Sequence, residues 1–244
     1  MKPIFRVMKV ITWNCNMAFR KKYERIIELK PDLLVLQECE GKEKLEKALE
    51  HTGYNQIIWY GENPHKGIAA ITFNKLSIEL VENHNPEYQY VLPLTLRQAR
   101  KQYNLFVIWA MPHKTERKKD YVGQIHGAIH YYEGLLDEPS ILIGDFNSNA
   151  IWDKKRKNNN HSDVVQFLEA KKIRSIYHLK NNINHGLEPD PTLYLLKNKA
   201  KPYHMDYCFA SEVLIKKVTT MTIGQHKDWI KLSDHMPLVI DSLG

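Results

Sequence analysis

Short, dense apolar runs punctuate the chain, and several of them stop on an amide or a carboxylate. Residues 8–13 (M-K-V-I-T-W) read as a buried strand. Residues 32–37 (D-L-L-V-L-Q) read as a strand covered on both faces, because the apolar residues do not alternate with polar ones. Between them Tyr23, Ile26, Ile27 and Leu29 fall at helical spacing within 19–29, and Pro31 stops the pattern. Residues 42–51 predict a charged amphipathic helix that Gly53 ends. Strands follow in a group at 54–60, 67–73, 78–82, 91–96 and 105–110, with turn residues at 62–64, 74–75 and 83–86. Val122, Ile125, Ile129, Tyr132 and Leu136 mark a helix over 121–136, and 140–144 is a strand that delivers Asp145. Residues 149–160 are polar and basic and read as an exposed loop, and Ser162 suits the N-cap of a helix over 163–171. A second loop at 181–191 leads to strands at 192–196, 203–210, 215–223 and 237–241.

Many strands in groups, with only three or four helices, predict an α+β fold rather than alternating βαβ units. Two sheets packed face to face with helices outside is the natural layering, and it brings the polar strand ends to one edge of a sandwich. With 244 residues and 43% hydrophobic content, a single domain over 1–244 is expected, with 1–7 as a short extension and Met8 as an alternative start.

Composition narrows the partners. A net charge of +7 favours an anionic partner, either nucleic acid or a phosphorylated small molecule, although a basic protein without a charged partner carries the same signature. Cys15, Cys39 and Cys208 show neither CxxC nor zinc spacing, so a reduced, cytoplasmic chain is expected. The N-terminus lacks the apolar stretch of a signal peptide, and no run of about 18 apolar residues predicts a membrane span. A monomer is expected.

The candidate chemistry lies in the polar strand ends. Asn14 and Asn16 follow the first strand, and Glu38 follows the second. A carboxylate at the end of a buried strand is costly unless it is paired, protonated or metal-bound. Gly144 permits a tight backbone beside Asp145, and the D-x-N spacing aims Asp145 and Asn147 the same way; an ordinary turn has the same composition. Asp206 sits in mid-strand, where Asp is depleted. Ser233-Asp234-His235 adds an acid and an imidazole just before the last strand. Oxygen donors without thiolates suit Mg²⁺, or Mn²⁺, better than zinc. A metal, an imidazole held by an Asp and a carboxylate that orients water are the parts needed for phosphodiester hydrolysis.

In this order, T-W-N-C-N, L-Q-E, G-D-F-N, M-D-Y and S-D-H resemble the endonuclease/exonuclease/phosphatase superfamily, the DNase I-like fold, over about residues 8–241. The resemblance implies a four-layered α/β/β/α sandwich with the site at one end of the sheets. It implies Glu38 as the main metal carboxylate, with Asp234 near the metal and Asn16 in a looser role there. Asn14 would support the metal or the phosphate, and Asn147 would bind the scissile phosphate. Asp145 would orient or deprotonate the attacking water. His235, oriented by Asp206, would stabilise the phosphate or take part in proton transfer, and Thr192 would be structural. The chain departs from the family where relatives carry a leaving-group His or Tyr after the strand at 105–108: here stand Ala110 and Met111, and His113 is the nearest substitute.

The function expected is therefore a Mg²⁺-dependent phosphodiesterase acting on DNA or RNA. The basic residues 114–119 and 154–157, His65, Lys66 and Trp152 are candidates to touch such a substrate, each equally readable as solvated loop or turn. One alternative keeps the chemistry and changes the substrate to phospholipid head groups or inositol phosphates. Another is a catalytically silent module that binds nucleic acid or protein.

Overall fold

The computed structural model describes residues 7–113 and 115–243. Its fourteen strands, in chain order, are β1 Met8–Asn14, β2 Leu33–Cys39, β3 Tyr54–Asn63, β4 Lys66–Phe73, β5 Leu76–Leu80, β6 Val91–Gln98, β7 Lys101–Trp109, β8 Ser140–Asp145, β9 Ile173–Ser175, β10 Leu193–Tyr194, β11 Pro202–Tyr203, β12 Asp206–Ser211, β13 Thr220–Ile223 and β14 Leu238–Leu243. The helices are α1 Tyr23–Ile27, α2 Lys42–Leu49, α3 Val122–Tyr131, α4 His161–Ala170, α5 Ile176–Asn181, α6 Glu212–Ile215 and α7 His226–Trp229.

Two six-stranded sheets carry the fold, ordered β13-β14-β1-β2-β4-β3 and β5-β6-β7-β8-β12-β9. Alternation along each strand sorts side chains into three apolar layers. Val10, Leu33, Val35, Leu105, Val107, Ile141, Ile143, Cys208 and Leu238 fill the space between the sheets. Ile11, Leu34 and Leu36 face outward onto Ile26, Leu45 and Leu49 of α1 and α2. Phe106, Leu142 and Phe209 face the opposite way onto Ile125, Ile129, Val164 and Leu168 of α3 and α4. The unbroken apolar runs in the sequence are thus strands buried on both faces, and the molecule is the expected α+β sandwich with helices on both outer faces.

Strand direction places the site. β1 and β2 run parallel, as do β7 and β8, so Asn14, Glu38 and Asp145 stand at the finishing ends of their strands. β14 is antiparallel to β1, β4 to β2 and β12 to β8. Their starting ends therefore lie at the same edge, which brings His235, Lys66 and Asp206 to it.

Several expected elements differ, each for a local reason. The helix over 19–29 is a single 3₁₀ turn, Phe19–Lys21, followed by the short α1, because Lys22 is turned aside to donate to the Cys15 and Leu232 carbonyls, both at 2.5 Å. The helix over 121–136 stops at Tyr131 and continues as a 3₁₀ turn, where the Tyr132 hydroxyl accepts from Asn85 N–H at 2.8 Å. Asn160, not Ser162, caps α4: its side chain accepts from Asp163 N–H at 2.9 Å while Asp163 accepts from Asn160 N–H at 3.1 Å. Residues 149–160 are not simply an exposed loop, since Asn149 is buried and 150–155 form a 3₁₀ turn. The strands over 192–196 and 203–210 are cut short because the Thr192 hydroxyl accepts from both Met205 N–H and Asp206 N–H, at 2.8 and 3.0 Å. The strand over 215–223 begins only at Thr220, after helix α6, and α5 and α7 arise where no helix was expected. No described helix is long and apolar enough to cross a membrane. The three cysteines are free and buried.

Gly144 makes the turn into Asp145 possible. Its φ is +140°, and a Cβ there would lie 2.0 Å from the Ile108 carbonyl oxygen. Gly144→Ala is expected to lower the unfolding free energy by about 3 kcal/mol, as measured by urea denaturation. An unchanged midpoint would contradict the register drawn here for β7 and β8.

Candidate active site at the sheet edge

The centre of the site is a carboxylate with no exposed surface. Asp145, at the end of β8, is 0% exposed. Its Oδ2 accepts from Asn14 Nδ2 and Asn147 Nδ2, both at 3.0 Å, and its Oδ1 accepts from Asn147 N–H at 2.9 Å. Asn147 adopts φ +44°, which folds the chain back over Asp145 and lets its amide also donate to the Ala110 carbonyl at 2.9 Å. Asn14 belongs to one sheet and Asp145 to the other, so this bond closes the two sheets across the edge.

His235 stands beside it. Its Nδ1 is 2.9 Å from Asp206 Oδ2 and its Nε2 is 3.9 Å from Asp145 Oδ2. The backbone holding the imidazole is pinned at both ends. Trp13 Nε1 donates to the His235 carbonyl at 3.0 Å, and Ser233 Oγ accepts from His235 N–H at 3.0 Å while donating to the Asn14 carbonyl at 2.8 Å. Burial pushes the His235 imidazole down, but Asp206 and Asp145 outweigh it, and the ring is held protonated well above the ordinary histidine range. Burial pushes the Asp145 carboxyl up, His235 and the amide donors oppose this, and Asp206 reinforces it. The neighbouring Asp206 and Asp145 side chains thus hold a proton on His235. Asp206 Oδ1 is buried and has no hydrogen-bond partner.

The remaining sequence candidates form a second group along the rim. Glu38 lies at a bulge in β2, between Gln37 and Cys39, with φ +58°. The bulge turns its carboxylate toward the edge, where Oε1 accepts from Asn14 Nδ2 at 3.3 Å and Oε2 lies 3.1 Å from Lys66 Nζ. Asn16 Nδ2 donates to Asp234 Oδ1 at 2.8 Å, and Asn16 N–H donates to Asn14 Oδ1 at 3.0 Å. Asn14 therefore links Glu38, Asp145 and Asn16. These donors are hard oxygens, and burial pushes the neighbouring Cys15 thiol up, so no thiolate competes. A cation, the Lys66 ammonium, already stands on Glu38. The rim residues fit a Mg²⁺ or Mn²⁺ ion.

His113 does not join either group. Its described hydrogen bonds stay within 113–120: Asp120 Oδ1 accepts from its N–H at 2.6 Å, and its Nδ1 accepts from Glu116 N–H at 2.9 Å. It stabilises its own turn, and Lys114 beside it lies outside the described residues. His65 likewise sits in the β3–β4 turn. Trp152 packs on Tyr203 with ring centroids 5.4 Å apart. Together with Asn147, Leu193, Leu195 and Met205 these two rings line a cavity of about 430 Å³, which reaches the hydrogen-bond partner of the buried carboxylate, Asn147.

Sequence reasoning missed a layer of histidines behind this cavity, buried except for the half-buried His185. The His178 and His185 rings stack with centroids 3.5 Å apart and planes 13° apart, and His161 Nε2 is 3.0 Å from His185 Nδ1. Glu188 Oε1 accepts from Gly186 N–H at 3.0 Å and lies 2.9 Å from His178 Nε2. The ligand atoms of His178, His185 and Glu188 lie within 4.8 Å of one another. Parallel rings direct their in-plane lone pairs along parallel lines, not onto one point, so the group is a packed polar cluster rather than a metal centre. Spacing gave no signal for it, since the four histidines (His204 is the fourth) come from separate loops and helices.

Residues 11–235 match the model of the Endonuclease/Exonuclease/phosphatase family. No curated protein sequence matches the chain. Among solved structures, an AP endonuclease from Archaeoglobus fulgidus is 18% identical with a TM-score of 0.71, over 96% of this chain and 98% of that one. The 3′ phosphatase NExo from Neisseria, bound to a product DNA hairpin, is 16% identical with a TM-score of 0.69, over 97% and 99%. The AP endonuclease LMAP from Leishmania major is 14% identical with a TM-score of 0.70, over 98% and 88%.

Two predictions follow from the electrostatics. Asp206→Asn removes the carboxylate that holds the proton on His235, so the imidazole pKa is expected to fall, as read from the His235 ring nitrogens by NMR; an unchanged value would contradict the pairing. Burial lowers His161 from 6.5 to about 4. The folded state then binds fewer protons than the unfolded chain between those values, so this histidine's contribution to stability is complete above about 6.5 and is lost as pH falls toward 4. His161→Gln is expected to flatten the pH dependence of urea stability in that window, and an unaltered slope would contradict it.

Proposed function

Because this chain belongs to the endonuclease/exonuclease/phosphatase family, we propose that it is a divalent-metal-dependent nuclease that hydrolyses a phosphodiester of DNA or RNA. The family consists of phosphoester hydrolases, and the enzyme reading does not depend on the choice of substrate. The observation that carries the nuclease reading is the network of Asp145, Asn147, His235 and Asp206, of which Asn147 also lines a cavity walled by Trp152 and Tyr203. Flat aromatic walls beside a phosphate-binding amide suit a sugar or base flanking the scissile phosphate better than a polyhydroxylated head group.

In this reading Asn147 turns one of its two amide hydrogens from Asp145 or the Ala110 carbonyl to a non-bridging phosphate oxygen. Asp145 fixes the attacking water in line with the phosphorus and accepts its proton, a role suited to a carboxylate whose burial raises its basicity. His235, protonated and oriented by Asp206, neutralises the charge that builds on the phosphate. Glu38, Asn14, Asn16 and Asp234 hold the divalent ion, for which Mg²⁺ is the proposed identity and Mn²⁺ a substitute. The bound ion supplies Lewis-acid charge to the phosphate. Ala110 offers no proton to the leaving oxygen, and His113 is engaged in its own turn.

Cleavage of supercoiled plasmid, a single-stranded oligonucleotide and an RNA, with Mg²⁺ or with EDTA, tests the proposal and ranks the substrates. His235→Ala and Glu38→Ala are each expected to lower turnover by about 10² or more, whereas His113→Ala has a smaller effect. Wild-type rates in both of the first two variants would remove the site assignment. No cutting of any substrate by the folded protein would move the reading to a small phosphate ester.

A further inference from the structure

The rim carries a cation that sequence analysis offered as a substrate contact and that the fold places on Glu38. Lys66 starts β4, next to the bulge in β2 that presents Glu38. Its Nζ lies 3.1 Å from Glu38 Oε2 and 5.0 Å from the centre of the Trp109 ring. The Lys66 side chain is 34% exposed, so it reaches the carboxylate from the water side. Trp109 ends β7, and the next residue, Ala110, offers no proton donor from its side chain. Glu38 belongs to one sheet and Trp109 to the other. A single ammonium therefore spans the seam between the carboxylate assigned to the metal and the strand end next to Ala110.

We propose that Lys66 is a displaceable internal cation, which occupies Glu38 until a divalent ion enters and then turns to the phosphate ester beside Trp109. The proposal rests on the reading of Glu38 as a metal carboxylate. Two cations cannot share the same carboxylate oxygen without repulsion, so entry of the ion must release the ammonium. Once released, Lys66 stays tethered at the start of β4, its ring contact with Trp109 keeping it on the side of Ala110. There its fixed charge offsets charge on the departing oxygen. Lys66 thus sets the metal requirement of the site and positions charge for the reaction, two consequences that pull in opposite directions when it is removed.

The test measures Mn²⁺ binding to the metal-free full chain by electron paramagnetic resonance, for the wild type and for Lys66→Met, Lys66→Arg and Glu38→Gln. Lys66→Met is expected to bind Mn²⁺ roughly tenfold more tightly, the size expected for one unit charge near a half-exposed carboxylate. Lys66→Arg keeps the competing charge and stays near wild type. At saturating Mg²⁺, Lys66→Met is expected to turn over substrate about tenfold more slowly. A lost packing contact would not tighten metal binding while slowing turnover. Wild-type or weaker Mn²⁺ affinity in Lys66→Met, with binding abolished in Glu38→Gln, would overturn the role of Lys66 alone. Undiminished binding in Glu38→Gln would instead overturn the assignment of Glu38 and the proposal with it.

Discussion

Asp145 is a carboxyl group with no exposed surface, and the rest of the site is arranged to make that tolerable. A buried charge needs donors, and donors must come from whatever backbone is near. Asn14 brings one from the neighbouring sheet, Asn147 brings two by turning left-handed over the end of β8, and His235 brings a charge from the chain just before β14. The closure of the two sheets at this edge and the chemistry of the edge are therefore one constraint. If the two sheets slid past each other by a residue, Asp145 would lose Asn14; if β8 slipped by one residue within its sheet, Asp145 would face the other side.

The same constraint explains the economy of the surrounding residues. Thr192 contributes one hydroxyl, which stops two backbone N–H groups and frees Asp206 to begin its strand facing His235. Ser233 and Trp13 fix the backbone on either side of the imidazole. Groups such as these touch no substrate, yet they set the distance between the proton on His235 and the lone pairs on Asp145. Second in importance is the rim, where Asn14 ties Glu38 to Asp145, so that a change of charge on Glu38 is felt at the buried carboxylate.

Much of this was legible in the chain. Apolar runs without alternation revealed strands covered on both faces, and the polar residues that close three of them, Asn14, Glu38 and Asp145, meet at one edge of the fold together with Asp206, which starts its strand. Such residues stand out because a buried strand that stops on a carboxylate has few physical explanations. The local elements were less legible where a tertiary bond overrides propensity. Lys22 breaks a helical pattern by reaching two carbonyls, one of them more than two hundred residues away in sequence. The β-branched stretch at 215–220 reads as strand but starts in helix, because the end of β12 turns the chain there. Lys66 was legible as a turn residue that could touch a phosphate, but not as the partner of Glu38 and Trp109, because Trp109 comes from the other sheet. The stacked histidines carry no spacing signal at all, since four separate segments meet only in the folded chain.

The central claim is that the buried Asp145 carboxylate, and not merely a folded edge of the right shape, performs the hydrolysis. Turnover of Asp145→Asn on a single-stranded oligonucleotide at saturating Mg²⁺, with the fold verified by circular dichroism, tests it most directly. The account predicts a folded protein whose turnover falls by about 10³ or more. A folded variant that keeps turnover within about tenfold of the wild type would contradict it, and would move the base to another residue of the edge.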